Sequence, residues 1–480
     1  MTDFTAVVLR ALRADKFDPD LDDASRAQLA SLNAATPVAG LKDLRALIWS
    51  SIDNAESRDL DQIEYAESLP GGAIRVLVGI ADVDVLITKG SALDQHAMRN
   101  ATSVYAGSTV YPMLPEEIST GLTSLNQGVD RIVLVIEVVV GADGTPQSHD
   151  VYRAIATNRA KLAYDTLGAW LEGRGPLPPA AASIPGLEAQ LWLQDRAASL
   201  LKTQRQKAGA LEFETVEATP VTQDGKVQSL AVTRKNRARD LIEDFMIAAN
   251  VAIAQYLAEQ NRSAIRRVVR VPKRWGRIVE IAGKFGVTLP AQPDPKPLSE
   301  FLAARRAADP LRFADLSLSI VKLLGAGEYV VDRPGPADDQ GHFGLAAHDY
   351  SHATAPNRRY ADLVTQRLVK ATLAGTPAPY TDDELDVIAK HCTERENAAN
   401  HVERIARKAA AALLLAHRIG DVFDAIVTGV NSDGTYVRLL SPPAEGRVMK
   451  GEQGMDVGER VRVKLIRTDP VHGFIDFEGV

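Results

Sequence analysis
The chain has 480 residues, 45% of them hydrophobic and 24% charged, enough to bury a large core spread over more than one domain. Its formal net charge of −7 gives no global nucleic-acid signal, although a local basic groove in an acidic protein can still hold a phosphate backbone. The single cysteine, Cys392, excludes an internal disulfide framework and a cysteine-rich zinc site, which fits a reducing cytoplasm.

Residues 1–38 read as a small helical element. AVVLRALRADKF and DASRAQLASLNA carry apolar residues at helical spacing, with DPDLDD between them. A helix-turn-helix type nucleic-acid binder is one reading, and two ordinary short helices joined by an acidic loop are the other. The N-terminus lacks a basic region followed by a long apolar run, so no signal peptide is expected. No apolar stretch is expected to reach the roughly 20 residues needed to span a bilayer.

Residues 39–160 read as mixed α/β. The most informative run is SSIDNAESRDLDQIEYAE, residues 50–67, which places Asp53, Asp59 and Asp61 in one short polar segment. An extended backbone projects Asp59 and Asp61 to one side, and Asp53 joins them if the chain turns through NAESR. Hard divalent cations such as Mg²⁺ take several oxygen ligands. Paired metals about 4 Å apart are a standard device for cleaving phosphodiesters. A solvated acidic loop is the competing reading. AIRVLVGIADVDVLI (73–87) and RIVLVIEVVV (131–140) read as central strands, with a helix and loops between them.

Further along, GPLPPAAASIPG (175–186) marks a surface connection and GKVQSLAVTR a strand. DLIEDFMIAANVAIAQYLAEQN (240–261) is an amphipathic helix with an acidic start. Loops are expected at 290–297, 332–341 and 375–381. From Asp383 to His417 the chain has neither Pro nor Gly and reads as one long helix ended by Gly420. Five short strands in the last 60 residues, roughly, indicate a small OB-class barrel, a common binder of single-stranded nucleic acid. The fold class is therefore α+β, a mixed α/β domain between a helical N-terminal element and a five-stranded barrel.

Four separated segments resemble the ribonuclease II family of processive 3′→5′ exoribonucleases, the bearers of the RNB catalytic domain. SIDNAESRDLDQ follows the family's Ile-Asp and Asp-x-Asp pattern. SVYAGSTVYPMLPEEISTGLTSLNQGVDR (103–131) is similar to the family's tyrosine loop, Pro-Met-Leu-Pro and Ser-Leu-Asn strand entry. HFGLAAHDYSHATAPNRRYADLVTQRL (342–368) resembles its His-Phe-Gly-Leu and Arg-Arg-Tyr elements, and NAANHVERIARKA (397–409) a helix bearing a glutamate. The last 60 residues or so resemble the S1-type OB module. The resemblance divides the chain into a helical element at 1–38, an RNB-like domain at 39–417 and an S1-type domain at 418–480.

The resemblance implies Mg²⁺-assisted hydrolysis of single-stranded RNA to 5′-mononucleotides, with Mn²⁺ as an alternative ion, by a cytoplasmic monomer away from membranes. Asp53, Asp59, Asp61 and Gln62 would hold metal, with Asp59 and Asp61 at the catalytic centre and Asp61 the most sensitive position. Tyr105 would clamp the 3′ end by stacking, which needs no sequence preference. Read alone it is a core tyrosine near a Pro-rich turn. Arg358 and Arg359 open a helix and suit a scissile phosphate. The sequence does not say which of the two acts, and a pair capping loop carbonyls is the alternative. Glu403 matches the family glutamate near the leaving nucleotide, or is an ordinary helix residue.

Two departures stand out. The family has a further aspartate directly after Asp-x-Asp, where this chain has Gln62, which removes one negative charge from the cation site. Family members also often begin with β-barrel RNA-binding modules. The alternative function is an RNA-binding or regulatory protein with an impaired metal site. A generic OB-fold translation factor would leave residues 40–415 unexplained, and a DNA nuclease shares the motifs. Basic runs at 233–240 and 262–277 are either an RNA channel or solvated faces, and His342 and His352 read as loop supports rather than zinc ligands.

Overall fold
Two helices come first, α1 (Phe4–Ala14) and α2 (Asp23–Ser31), with Asp3 and Asp22 as N-caps accepting from the backbone N–H of Thr5 and Ser25. The computed structural model describes residues 3–33, 40–107, 109–214, 217–223, 226–335, 341–431 and 434–480. Residues 1–2 and 34–38 of the expected helical element, and half of the loop expected at 332–341, lie outside the described residues. α1 does not stand apart from the rest. Phe4, Val7, Val8 and Leu12 share a core with Val104, Ala106, Ala399, Val402 and Ala406.

The α/β region contains β1 (Lys42–Asp43), β2 (Trp49–Asp53), β3 (Gln62–Ser68), β4 (Ile74–Ala81), α3 (Ala92–Asn100), β5 (Val104–Ala106), β6 (Thr109–Tyr111), β7 (Asp130–Val140) and β8 (Pro146–Ala163). Six strands form a sheet in the order β1-β8-β2-β3-β4-β7. The first part of β8 pairs antiparallel with β7 and its end pairs parallel with β2, so one long strand curls the sheet back on itself. β4 is shorter than the expected 73–87. Asp82, next in line, is buried and ion-paired with Arg153 and Lys370, and Val83–Val85 forms a 3₁₀ turn.

α4 (Tyr164–Leu171), α5 (Pro179–Ala182), α6 (Leu187–Lys207), the hairpin β9 (Glu217–Gln223) and β10 (Lys226–Thr233), and α7 (Arg237–Glu259) follow. α7 starts before the expected residue 240 because the Asn236 side chain caps it, accepting from the Arg239 N–H. By length and composition α7 could cross a membrane, which corrects the expectation that no stretch comes near. In this fold it packs on α4, α6, β7 and β8, and most of it is buried.

β11 (Ala264–Val268) pairs with β12 (Glu328–Asp332). Between them α8 (Trp275–Lys284), α9 (Pro295–Ala308) and α10 (Pro310–Leu324) build a satellite core around Trp275, Ile278, Phe301 and Phe313. α11 (Tyr360–Leu373) precedes α12 (Asp382–Leu415), a 34-residue helix opened by a capping box between Thr381 and Glu384. Cys392 of α12 is buried in the main core, and burial pushes its thiol pKa up. The chain ends in a closed five-stranded barrel, β13 (Val422–Asn431), β14 (Gly434–Leu439), β15 (Glu445–Lys450), β17 (Phe474–Gly479) and β16 (Arg460–Asp469) in spatial order. Val427, Val437, Leu465 and Phe477 fill it.

Candidate active site
The turn from β2 into β3 carries the acidic residues at the carboxyl edge of β2, where Asp53 lies beside Ala163 of β8. Asp53 Oδ1 accepts the Asn54 N–H at 2.7 Å and the Ser57 hydroxyl at 3.0 Å. Burial raises its pKa, against those two bonds and the Arg358 charge. The Asp59 charge bears on Asp53, Asp61 and Tyr105 together.

Asp61 is 1% exposed. Its Oδ1 accepts from the Asn357 backbone N–H at 3.1 Å and from Asn357 Nδ2 at 2.9 Å. Its Oδ2 has no hydrogen-bond partner and stands 3.5 Å from Arg358 Nε. Burial pushes the Asp61 pKa up to about 7, with Arg358 and Asn357 opposing. Leaving a buried acceptor unsatisfied costs roughly 1–3 kcal/mol, so the free oxygen is a reserved valence at this position.

The neighbouring loop fixes this turn. The Leu60 N–H donates to Ser124 Oγ, the Leu60 carbonyl accepts from the Leu125 N–H, and the Ser124 hydroxyl donates to the Arg58 carbonyl. Thr123 Oγ1 donates to Asn357 Oδ1 at 2.6 Å. Arg131 donates to the carbonyls of Ser124 and Gly121. Asn357, Thr123 and Ser124 were not singled out from sequence, although all three lie inside the quoted motifs.

Gln62 opens β3 and is mostly buried, its backbone in register with Ile80. Tyr105, on β5, carries a phenol that feels the Arg358 charge, and its backbone N–H donates to Glu403 Oε1 at 3.0 Å. The Arg358 carbonyl in turn accepts from the Ser103 N–H. Asp61, Asp59, Asp53, Arg358, Tyr105 and Glu403, distant in sequence, are thus neighbours.

The two arginines part company. Arg359 donates to Asp362 Oδ1 at 2.7 Å and to Thr354 Oγ1 at 3.3 Å, a pairing internal to the start of α11. Arg358 keeps 43% of its side chain accessible, and Tyr105 is 38% exposed. Burial nonetheless pulls the Arg358 pKa down, while Tyr105, Asp61, Asp362 and Asp53 push it further up, so the guanidinium stays charged. Burial is also the main influence on the Tyr105 phenol.

Much of the basic run at 262–277 is ion-paired. Arg266 meets Asp332 and Asp349, Arg267 meets Glu396, and Arg277 meets Glu280. His352 Nδ1 is 2.8 Å from the Tyr329 hydroxyl, and His342 Nδ1 accepts from the Leu345 N–H.

Among the described residues no three Asp, Glu, His or Cys side chains are drawn together tightly enough to hold a metal ion. The donor set still fits a hard divalent cation in kind. It is all oxygen, and Asp61 Oδ2 is buried, accepts no hydrogen bond and faces Arg358 Nε at 3.5 Å.

Residues 41–375 match the RNB domain, and residues 421–480 match the RNase II-type exonuclease C-terminal S1 domain. Ribonuclease R of Vibrio cholerae is 32% identical over 493 residues, covering 94% of this chain and 59% of that protein. Ribonuclease R of Thermotoga maritima is 30% identical over 478 residues, 92% of this chain and 65% of that protein. The chain thus spans about three fifths of the curated relatives it matches. Mycoplasma genitalium RNase R in complex with ribose-methylated single-stranded RNA superposes with a TM-score of 0.89 at 23% identity, over 100% of this chain and 78% of that one. Yeast Ssd1, a pseudonuclease, gives 0.73 at 16% identity, over 96% and 58%. Both likenesses concern the fold alone. Divalent-metal dependence is general among RNB-domain ribonucleases. With the RNB domain matched over more than half of this chain and the C-terminal S1 module beyond it, the chain belongs to the RNB family.

Proposed function
We propose that the chain is a processive 3′→5′ exoribonuclease that hydrolyses single-stranded RNA to 5′-mononucleotides in the cytoplasm. The observation that carries this reading is the free, buried Asp61 Oδ2 facing Arg358 beside Tyr105. One residue set thereby offers an oxygen for a cation, a fixed positive charge for a phosphate and a ring for a base. The working division is a helical element at 1–38, a catalytic domain at 39–417 and an RNA-binding barrel at 418–480, in a monomer.

Asp53, Asp59 and Asp61 would hold Mg²⁺, or Mn²⁺, with Gln62 as a weaker oxygen donor. When bound, the ion supplies an activated water and charge stabilisation at the phosphate. Asn357 holds Asp61 Oδ1 from two sides, which leaves Oδ2 aimed into the site. Arg358, kept charged by its neighbours, meets the charge that develops on the phosphoryl oxygens. Arg359 instead holds Asp362 and the α11 start, and so is a positioning residue. Tyr105 stacks on the terminal base, at roughly 1–3 kcal/mol for each such stack. Glu403 fixes the Tyr105 backbone.

The test is Asp61→Asn on 5′-labelled poly(A) in Mg²⁺. Loss of turnover with retained RNA binding is expected, and full turnover would refute the assignment. Gln62, an amide where the family has a carboxylate, favours a second reading as an RNA-binding protein with an impaired metal site. Tight RNA binding by the wild-type chain without mononucleotide release in Mg²⁺ or Mn²⁺ would support that reading instead.

A further inference from the structure
The satellite helices α8, α9 and α10 meet the C-terminal barrel without closing on it. Between them runs a groove of about 810 Å³, with Leu316 and Leu323 on the helical side and Val430 and Val457 on the barrel side. Two ion pairs tie its walls together. Arg438 of β14 reaches Asp315 of α10 at 2.6 Å, both of them buried, and Lys284 of α8 meets Asp456 of the β15–β16 loop at 2.9 Å near the surface. Losing one partner of a buried pair is strongly destabilising, so the Arg438–Asp315 contact holds the walls at a set spacing.

The charges along this groove are unequal. Of its acids, Asp309, Asp315 and Asp456 are each committed to a cation, and Glu459 accepts the Asp456 N–H. Among the described residues, its cations Arg305, Lys322 and Arg460 form no ion pair. The Arg305 guanidinium instead lies 4.4 Å from the centroid of the Phe285 ring, which is 44% exposed. An open aromatic ring backed by a cation suits a flat base, and uncommitted cations suit phosphates. An acidic protein segment would engage the cations and leave the ring idle, whereas a polynucleotide uses both.

We propose that this groove binds single-stranded RNA upstream of the 3′ end, with a base on Phe285 and the backbone along Arg305, Lys322 and Arg460. The inference rests on the exoribonuclease reading and adds to it a second hold on the substrate, away from the active site. Such a hold keeps the shortened strand at high effective concentration while its new end moves into place.

Fluorescence anisotropy of labelled oligo(A) with the full chain in EDTA, across a salt series, tests it. Phe285→Leu, which keeps an apolar side chain, should weaken binding at least about fivefold, the loss of one stacked base. The double variant Lys322→Ala, Arg460→Ala should lower the slope of log affinity against log salt by about 1.4, two single-strand phosphate contacts. Melting temperatures close to wild type would show that both variants are folded. Wild-type affinity and salt slope in both variants overturn the proposal and leave the exoribonuclease reading intact. Unchanged RNA binding with lost binding of poly(Glu) overturns it in favour of an acidic protein partner. A wild-type chain that neither binds oligo(A) in EDTA nor releases mononucleotides in Mg²⁺ overturns both readings.

Discussion
The backbone N–H of Tyr105 donates to Glu403 Oε1 at 3.0 Å, joining a β-hairpin to a helix 298 residues further along the chain. The backbone that carries the Tyr105 ring is therefore held by a carboxylate on α12. Glu403→Ala should reproduce the phenotype of Tyr105→Ala, a longer final undegraded RNA with initial turnover on long substrates little changed. Denaturing gels of end products would show it, and the double variant should add little to either single change.

Asn357 grips Asp61 Oδ1 through two donors and is itself held by Thr123. Asn357→Ala removes the side-chain donor and frees the carboxylate to rotate. Turnover is expected to fall about 10²-fold, the scale of an approximately 1 Å misplacement in an active site, with a stability loss of roughly 1–3 kcal/mol from the lost buried bond. Single-turnover kinetics and urea melts separate the two effects.

The two adjacent arginines should fail differently. Arg358→Ala is expected to lower kcat by about 10²–10³, the magnitude of one lost charge-stabilising donor, at nearly unchanged melting temperature. Arg359→Ala strands the fully buried Asp362, so its main effect should be destabilisation of about 3–5 kcal/mol. Equal loss of kcat in both variants at equal stability would contradict the division of roles.

Burial raises the Asp61 pKa to about 7, above its value in the unfolded chain. Between about pH 4 and 7 the folded metal-free protein thus binds more protons than the unfolded chain. Stability from this group is full below pH 4, roughly, and is lost as pH rises through 7. The melting temperature of the metal-free protein should fall over that window, and Asp61→Asn should flatten the fall. Protons also compete with the cation, so the Mg²⁺ concentration for half-maximal activity should rise as pH drops below 7.

Local physics made much of the fold readable. α12 was legible because a long stretch without Pro or Gly follows a threonine and three acids, and these form the cap. The barrel was legible from alternating short strands and turn residues. β4 was overextended because VDVLI looks like strand, while the tertiary pairing of Asp82 with Arg153 and Lys370 ends the ladder at Ala81. In the site, the aspartates, Tyr105 and Glu403 carried a motif. The difference between Arg358 and Arg359 did not, since it depends on where Asp61 and Asp362 lie in space.

Cys392 is the only thiol in the chain, and it is sealed inside the main core with its ionisation suppressed. Thiol-directed dyes should pass it by. A cysteine placed at Val387, 62% exposed near the start of the same helix, would then be a unique handle for a fluorophore, with no background labelling to remove.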